Sequence, residues 1–382
     1  MATAWPADSP IVPEHAARPG GWAWVFAGLL AAAFAAYAVG VFALERAALR
    51  ASVVVSLACA IQLAPLAGPV LLSTDVYSYW EYGRISVVHG DNPYEREPRD
   101  FPGDPALPFV GSDLRDETSV YGPGFTLASE GHALVAGESA DAAAWLYKAL
   151  AAGAMIAVVF LAARLGPRPA YAAAFVGWNP LLAIHAGGGG HNDVWMAALI
   201  LAALATAASG RRVLAGVAWA AAVAVKWIPL LFLPLRLLEA RRTGRRVDHL
   251  GFAAAAAVLV VLAGWRYGTS WLAAGPLGRN VVGERSSYSL PGRLAALGVP
   301  ESAALALFAG LFGLAYLWVI REAWRGRARL GLAAGLLLLA TPFLRPWYTA
   351  WVVPLAAVEE DRAARWLALG LSAYLLPAAI PL

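Results

Sequence analysis

Long apolar runs follow one another along the whole chain, each separated from the next by a short polar segment. Many approach the roughly 20 residues that a helix needs to cross a bilayer, and they are continuous rather than alternating, unlike the strands of a membrane barrel. Because backbone groups in lipid must pair within their own segment, this pattern predicts helices. The predicted spans are 21–44, 51–72, 141–163, 170–186, 193–208, 248–267, 301–320, 329–343, 347–358 and 364–381.

The stretch 213–235 departs from this pattern of simple spans. Arginines flank it on both sides, and both groups favour the cytoplasm under the positive-inside rule. Pro229 lies inside it and cannot donate a helical hydrogen bond, so we expect a break there. We predict a re-entrant pair of short helices, covered by protein. The alternative is an eleventh span with its arginines outside.

Composition supports a membrane protein. Of 382 residues, 60% are hydrophobic and 14% are charged, whereas about a quarter of the residues of a soluble domain are charged. We predict an all-α, polytopic helical bundle of about ten or eleven spans. Residues 21–382 form its single membrane domain, after a disordered tail at 1–20 that lacks the features of a cleaved signal peptide. The single cysteine, Cys59, excludes an internal disulfide.

Charge is unevenly distributed along the chain. Residues 73–140 contain twelve acidic and four basic residues, which gives −8, while the whole chain carries +4. The remaining segments therefore carry +12, concentrated in short loops that we place in the cytoplasm. It follows that 73–140, 187–193, 268–300 and 344–348 face the extracytoplasmic side. The segment 73–140 is then a large first loop, with interfacial helices at its two ends.

The segment 73–94, STDVYSYWEYGRISVVHGDNPY, directly follows an apolar run. It places Asp75 where a membrane helix leaves the hydrocarbon, among aromatic rings suited to the interface. A carboxylate at this depth is a candidate general base. The alternative is that Asp75 only caps an interfacial helix.

A second polar segment interrupts the apolar pattern at 178–196, WNPLLAIHAGGGGHNDVWM. His191, Asn192 and Asp193 begin the next helix, where Asn192 or Asp193 can serve as the N-cap and the free N–H groups can bind an anion. The alternative is a tight hairpin with an ordinary cap. A metal site formed with His185 and Asp75 is conceivable, but the spacing matches no specific pattern, so no cofactor is predicted and a divalent metal is not indicated.

Several cationic and aromatic side chains gather at the predicted outer side: Lys226, Arg279, Arg285, Arg345, Trp347 and Tyr348. An intramembrane lysine usually faces a polar cavity, and outward arginines run against the positive-inside bias. Because guanidinium groups match phosphate geometry, we interpret these residues as an anion site. The alternatives are a snorkelling lysine, arginines bound to lipid headgroups, and an aromatic belt.

The sequence contains no Walker loop, Rossmann fingerprint, serine-hydrolase elbow or zinc-binding spacing. It therefore has no recognisable domain for a soluble nucleotide donor. If the chain is an enzyme, its activated substrate must come from the membrane.

Taken in order, these motifs resemble those of the GT-C integral-membrane glycosyltransferases, and most closely the actinobacterial polyprenyl-phosphomannose-dependent mannosyltransferases. The resemblance rests on the segment at 73–94, YGPG at 121–124, the segment at 178–196, the glycine-to-lysine-proline segment at 214–235 and LRPWYTAW at 344–351. It implies a GT-C-like fold, Asp75 as catalytic base and a lipid-linked sugar donor, usually mannose. One departure is the pair of helices before Asp75, where many GT-C proteins have one. The family also includes arabinosyl and glucosyl transfer.

The resemblance and the residues together predict a membrane glycosyltransferase. It would move a sugar, which we expect to be mannose, from a polyprenyl phosphate to a glycolipid or glycan acceptor at the outer face of the plasma membrane, without nucleic acid. Transfer would invert the anomeric carbon, unless Asp193 or Glu81 acts as a nucleophile. The rival functions are a lipid-linked sugar transporter or flippase and a non-catalytic assembly protein. The residues expected to contact sugar or acceptor are Tyr79, Trp80, Glu81, Tyr82, Tyr121, His191, Asn192, Asp193, Trp347 and Tyr348, and those expected to bind donor phosphate are Arg279, Arg285, Lys226 and Arg345.

Overall fold

A computed structural model describes residues 9, 11–13, 20–46, 49–245, 247, 249–274 and 286–380. Within these residues the secondary structure is helical and contains no strand, which confirms the predicted all-α class. The helices of the first half are α1 (Gly21–Leu44), α2 (Ala51–Leu63), α3 (Asp75–Val87), α4 (Pro123–Ala136), α5 (Ala140–Leu165), α6 (Pro169–Gly177), α7 (Pro180–Ala183) and α8 (Asp193–Ala208). Those of the second half are α9 (Arg212–Val225), α10 (Leu233–Arg242), α11 (His249–Tyr267), α12 (Leu290–Ala296), α13 (Glu301–Trp324), α14 (Leu330–Ala340), α15 (Thr349–Val358) and α16 (Arg362–Tyr374).

Fewer helices have spanning length than the apolar pattern predicts. In the described part of the chain, α1, α5, α11 and α13 are long and apolar enough to cross a membrane alone. A fifth span results if α8 is joined to Pro180–Gly188, which meets it at an angle of 111°. The prediction of ten or eleven spans therefore counts several apolar helices that are too short to cross alone. The cause is visible in α15, which is apolar because it is buried in protein along almost its whole length.

The centre of the bundle is packed through small residues. The buried face of α5 includes Ala143, Ala151 and Ala152, each with no more than 1% of its surface exposed. A Cβ atom added to Gly177, at the end of α6, would lie 2.3 Å from the Cβ of Ala58 in α2. Small side chains allow helix backbones to approach closely, which is the main source of packing between membrane helices.

The predicted outer loop, 73–140, is folded against the bundle. Helices α3 and α4 pack on each other and on α5, so the two expected helices exist. However, α3 is not an interfacial helix with one wet face, because ten of its thirteen residues are buried. Arg84 in α3 binds both carboxylate oxygens of the buried Asp104, at 2.8 and 3.0 Å, and this ion pair ties the loop to the helix.

The predicted break in 213–235 is present. Helix α9 ends before Lys226, whose backbone is extended (φ −154°, ψ 142°), and a 3₁₀ turn at Ile228–Leu231 leads into α10. Arg212 at the start of α9 and Arg236 in α10 line one cleft, so the two basic flanks meet on the same side. This arrangement agrees with a re-entrant pair of helices rather than a single span.

Part of the predicted disordered tail is packed. Most of residues 1–20 lie outside the described residues, but Ile11 and Val12 are buried against Leu71. The backbone N–H of Leu72 donates to the carbonyl of Ile11 at 2.8 Å. These residues therefore support the segment that leads to Asp75.

Candidate active site

A cavity of about 1050 Å³ lies where α3 begins, where the α9–α10 pair breaks and where the turn before α15 approaches both. We call it the Asp75 cavity. Seven of the predicted site residues line it, and so does His185. The seven are Asp75, Tyr79, Tyr121, Lys226, Arg345, Trp347 and Tyr348.

Asp75 is held by side chains rather than used as a cap. It is the first residue of α3, the N-cap position belongs to Thr74, and no side-chain capping bond is present. The Ser73 hydroxyl donates to Oδ1 at 2.8 Å, and His191 Nδ1 lies 3.3 Å from Oδ2. The interpretation of Asp75 as a helix cap is therefore wrong, and its carboxylate is 18% exposed toward the cavity.

The surroundings of Asp75 keep it ionised. Burial acts to raise the pKa of its carboxyl group, but His191, the hydroxyl of Ser73 and the charge of Arg345 outweigh burial and lower the pKa to about 2. The carboxylate is therefore available to accept a proton at any physiological pH. Its basicity depends on the cations beside it.

Lys226 faces the cavity from the helix break and has a partner behind it. Its Nζ lies 2.6 Å from Oδ1 of Asp193, and the indole N–H of Trp351 donates to the same oxygen. The ammonium group also lies 5.1 Å from the ring centroid of Tyr348, within the range of a cation–π contact. Asp193 is 1% exposed and does not line the cavity, so it holds Lys226 in place rather than contacting a ligand.

Arg345, Trp347 and His185 line another part of the cavity, and the buried His191 packs against Trp347. Trp347 stacks on His191 with a centroid separation of 3.9 Å and an interplanar angle of 14°. The Arg345 guanidinium lies 4.5 Å from the Phe343 ring centroid and 5.8 Å from that of Trp347. Arg345 Nε is buried and has no hydrogen-bond partner among the described residues.

His185 is a site residue that the sequence indicated only as a conceivable metal ligand. It lines the cavity, it is 2% exposed, and neither ring nitrogen has a hydrogen-bond partner in the described part of the chain. Its ring centroid lies 5.5 Å from those of His191 and Trp347. The sequence signal for this position was a histidine separated by one alanine, Ala186, from four glycines.

Glycines bring these segments together. A Cβ at Gly122 would lie 2.3 Å from the carbonyl oxygen of Ala224, so only glycine allows YGPG to contact the end of α9 beside Lys226. Gly190 has φ +68°, a conformation that glycine adopts without strain, and a Cβ there would lie 2.5 Å from Val76. The four glycines thus let the π-helical turn Ile184–Gly188 and the following residues pack on the segment that contains Asp75.

Some predicted site residues lie elsewhere. Trp80, Glu81 and Tyr82 are buried in the protein and do not line the cavity. Burial and the charge of Asp104 raise the pKa of Glu81 to about 9, so this carboxyl group is protonated at neutral pH. Tyr79, four residues after Asp75, is its neighbour on the helix surface and donates its hydroxyl to Asp75 Oδ2 at 3.4 Å, whereas Trp80, Glu81 and Tyr82 contact protein.

The residues at the start of α8 also differ from prediction. His191, Asn192 and Asp193 are fully buried and absent from the cavity lining. Asn192 occupies the N-cap position, but its side chain makes no capping hydrogen bond. The helix N-terminus is therefore not open to an anion from solvent, and His191 and Asp193 contact Asp75 and Lys226 instead.

The sequence also predicted two further phosphate ligands and offered a metal site as an alternative. Arg279 and Arg285 lie outside the described residues. Within the described ranges, no group of three or more His, Cys, Asp or Glu side chains is placed to hold a metal ion, so His185, His191, Asp75 and Asp193 do not form such a group.

The chain is similar to named proteins over most of its length. A family model described as alpha-(1->6)-mannopyranosyltransferase, N-terminal domain, matches residues 8–241. The alpha-(1->6)-mannopyranosyltransferase A of Mycobacterium tuberculosis is 28% identical over 361 residues, covering 83% of this chain and 67% of that protein. A probable alpha-(1->6)-mannopyranosyltransferase of Mycolicibacterium smegmatis is 30% identical over 353 residues, covering 76% of this chain and 62% of that protein.

The similarity covers only part of the length of the relatives and does not extend to a solved structure. The chain spans about two thirds of the length of these two curated relatives. No solved structure matches it. Asp75, His185, Asp193 and Lys226 fall within the matched residues 8–241, whereas Arg345, Trp347 and Trp351 follow them, so the cavity joins the matched region to the last third of the chain. Because the family model matches well over half of its residues, the chain belongs to the alpha-(1->6)-mannopyranosyltransferase family defined by that N-terminal domain.

Proposed function

We propose that the chain transfers mannose from a polyprenyl-phosphate donor to a hydroxyl group of a glycan or glycolipid acceptor. The observation that carries this proposal is one cavity that holds a carboxylate, Asp75, and two cations, Lys226 and Arg345, among aromatic rings. Glycosyl transfer needs a proton acceptor, positive charge at the leaving phosphate and protection of the donor from water. The names of the relatives in mycobacteria favour mannose as the sugar.

The chemical step follows from these positions. The acceptor hydroxyl oxygen attacks the anomeric carbon, and its proton passes to a carboxylate oxygen of Asp75. The bond from the anomeric carbon to the phosphate oxygen breaks, and its electron pair stays on the phosphate. Lys226 and Arg345 stabilise the negative charge that develops on the phosphate as this bond breaks.

The cations tie the basicity of Asp75 to donor binding. In the free protein the charge of Arg345 contributes to the low pKa of Asp75. A donor phosphate bound to Arg345 and Lys226 neutralises part of that positive field and so raises the pKa of the carboxyl group. Asp75 thereby becomes a stronger base when the donor is in place.

We infer a single displacement with inversion, in which no carboxylate other than Asp75 takes part in the chemical step. Glu81 and Asp193, the two alternative nucleophiles predicted from the sequence, do not line the cavity. Asp113 and Glu117 do line it, from the loop that precedes Tyr121, and we assign them to the acceptor side because carboxylates accept hydrogen bonds from sugar hydroxyls.

His185 completes the proposed donor site. A buried imidazole without a hydrogen-bond partner is unfavourable by about 1–3 kcal/mol, so its retention beside the cavity favours a ligand that pairs with it. A neutral imidazole offers one donor and one acceptor, which suits the hydroxyl groups of a sugar. We place the sugar ring of the donor between His185 and the aromatic side chains of Tyr79 and Tyr348.

Transfer from polyprenyl-phosphate-mannose in membranes tests the proposal. Asp75→Asn keeps the size of the side chain and removes the base, so transfer should fall by ~10²–10⁴-fold. The matched control is Asp91→Asn, which removes a carboxylate from the same loop, away from the cavity lining. Wild-type transfer by a well-inserted Asp75→Asn protein would refute the role of Asp75, and no transfer by the wild type would refute the function itself.

A further inference from the structure

A second cleft, of about 1260 Å³, opens at the other end of α9. We call it the arginine cleft. It is bounded by the end of α8, the start of α9, α10 and the starts of α11 and α14, and its wall is mostly apolar. Leu204, Trp219, Leu233 and Phe252 belong to that wall. Since α9 has 14 residues, its two ends are about 20 Å apart, so this cleft is separate from the Asp75 cavity.

The acidic groups of the arginine cleft are occupied within the protein. Glu359 accepts the backbone N–H groups of Leu330 and Gly331 at 2.7 and 2.9 Å. Glu239 pairs with Arg236 and accepts the backbone N–H of Ala328 at 3.2 Å. Both carboxylates therefore already have hydrogen-bond partners within the protein, and Glu239 also has an ion-pair partner.

Two arginines of the same cleft have no such partner. The side chains of Arg212 and Arg245 are exposed and make no ion pair or hydrogen bond within the described residues. His249, at the start of α11, lines the cleft beside them. The cleft thus presents unpaired guanidinium groups next to an apolar wall, between helices of a membrane protein.

We propose that the arginine cleft binds an anionic glycerophospholipid from the bilayer. The planar guanidinium fork of arginine matches phosphate oxygens, and basic pockets between membrane helices suit anionic headgroups. The apolar wall suits an acyl chain, which a free phosphate ion lacks. This assignment is independent of the sugar transfer proposed above, because no residue is shared between the cleft and the Asp75 cavity.

Lipid titration of the purified full-length chain tests this inference. The probes are phosphatidylglycerol and phosphatidylcholine with identical acyl chains, and the readout is their dissociation constants by native mass spectrometry. The test variant is Arg212→Gln with Arg245→Gln. The matched control is Arg321→Gln with Arg362→Gln, two exposed arginines that line neither cavity.

The two arginines should account for most of the preference for the anionic lipid. Each contributes about 1 kcal/mol near an anionic headgroup, so phosphatidylglycerol should bind about fivefold more weakly per arginine removed and roughly 25-fold more weakly in the double variant. Phosphatidylcholine binding and the control variant should be unchanged, which also confirms folding.

Three outcomes would overturn the inference. The first is equal binding of the two lipids by the wild type, which would mean that the cleft does not select charge. The second is an equal loss of phosphatidylglycerol affinity in the test and control variants, which would mean that only the net charge of the protein matters. The third is full competition by water-soluble glycerol phosphate at matched concentration, which would mean that the apolar wall contributes nothing.

Discussion

The Asp75 cavity and the arginine cleft border the two ends of one helix, yet their charges are organised differently. In the cavity, Asp75 contacts His191, Lys226 contacts Asp193 and the Arg345 guanidinium lies against aromatic rings, so these charged groups are held by neighbouring side chains. In the cleft, the carboxylates have partners within the protein, and two arginines have none among the described residues. A cavity with a held carboxylate beside held cations can move a proton and stabilise a leaving group. A cleft with unpaired cations and an apolar wall can only bind.

The same contrast exists within α3. Asp75 and Glu81 are six residues apart, but the pKa of Asp75 is lowered to about 2 and that of Glu81 is raised to about 9. Burial acts in the same direction on both, so the neighbours decide the outcome. Asp75 has cationic and hydrogen-bonding groups beside it, whereas Glu81 faces the charge of Asp104. One helix therefore carries an ionised and a protonated carboxyl group at neutral pH.

The first prediction is that the Asp75 cavity and the arginine cleft lie on opposite sides of the membrane, so that cysteines placed near them differ completely in labelling. In a Cys59→Ala background, Gly103→Cys should react with a membrane-impermeant thiol reagent in intact cells, and Arg321→Cys should react only after permeabilisation. Gly103 suits the test because a Cβ there meets no atom within 4 Å, whereas one at Gly111 would lie 2.7 Å from Thr74 Oγ1. The reverse labelling pattern would invert the topology and remove the extracytoplasmic placement.

The second prediction tests whether charges in the cavity depend on their partners. Lys226→Gln leaves the buried carboxylate of Asp193 without its cation, so the free energy of unfolding should fall by about 3 kcal/mol, and transfer should also fall. Arg212→Gln in the arginine cleft should change stability by less than about 0.5 kcal/mol. Adding Asp193→Asn to Lys226→Gln should restore most of the stability but not the transfer. Restored transfer would show that Lys226 acts only as a structural partner.

The third prediction concerns His185 and donor binding. His185→Phe keeps a ring and removes both nitrogens, so KM for the donor should rise about tenfold, the effect of losing one buried hydrogen bond. His132→Phe is the control, because His132 is also packed against aromatic rings but does not line the cavity. His185→Gln should recover part of the affinity. If both phenylalanine variants behave alike, His185 has only a packing role.

The fourth prediction uses the raised pKa of Glu81. The stability from protonated Glu81 is fully present below the unfolded pKa of 4.5 and is lost as the pH rises through about 9. The free energy of unfolding should therefore fall by up to about 1.4 kcal/mol per pH unit in this window. Glu81→Gln, which resembles the protonated form, should remove that slope. If the thermal midpoint of the Glu81→Gln variant depends on pH as steeply as that of the wild type, another group causes the pH dependence.

The fifth prediction is a small effect at Asp75. Since its pKa is lowered to about 2, ionised Asp75 persists until the pH falls well below the usual range of aspartate. Protonation of the free enzyme should therefore leave kcat/KM for the donor unchanged between pH 7 and pH 5. If kcat/KM for the donor decreases below about pH 6 in the wild type but not in the Asp75→Glu variant, the pKa of Asp75 is not lowered in the free enzyme.

Several of the residues selected from the sequence lie together in the structure, where a residue's local setting is sufficient to place it. Asp75 after an apolar run, the break near Pro229 and the aromatic turn at Trp347 each occupy the cavity as expected. The sequence failed at Trp80 and Tyr82, because a cluster of aromatics within one helix does not reveal which face meets a cavity. In the described residues fewer helices have spanning length than the apolar runs suggest, and the short helices α6 and α15 are buried in protein along almost their whole length.

What the sequence alone determined is the helical class, the membrane setting and the segments that carry polar groups, since hydrophobic runs and charge bias are local properties of the chain. Only the tertiary structure decided which groups act together. The contacts of Asp75 with His191, of Lys226 with Asp193 and of Trp351 with Asp193 join residues from distant segments, up to 158 positions apart. Such partners follow from how helices pack through glycine and alanine, and the same packing decides which carboxylate is ionised and which is not.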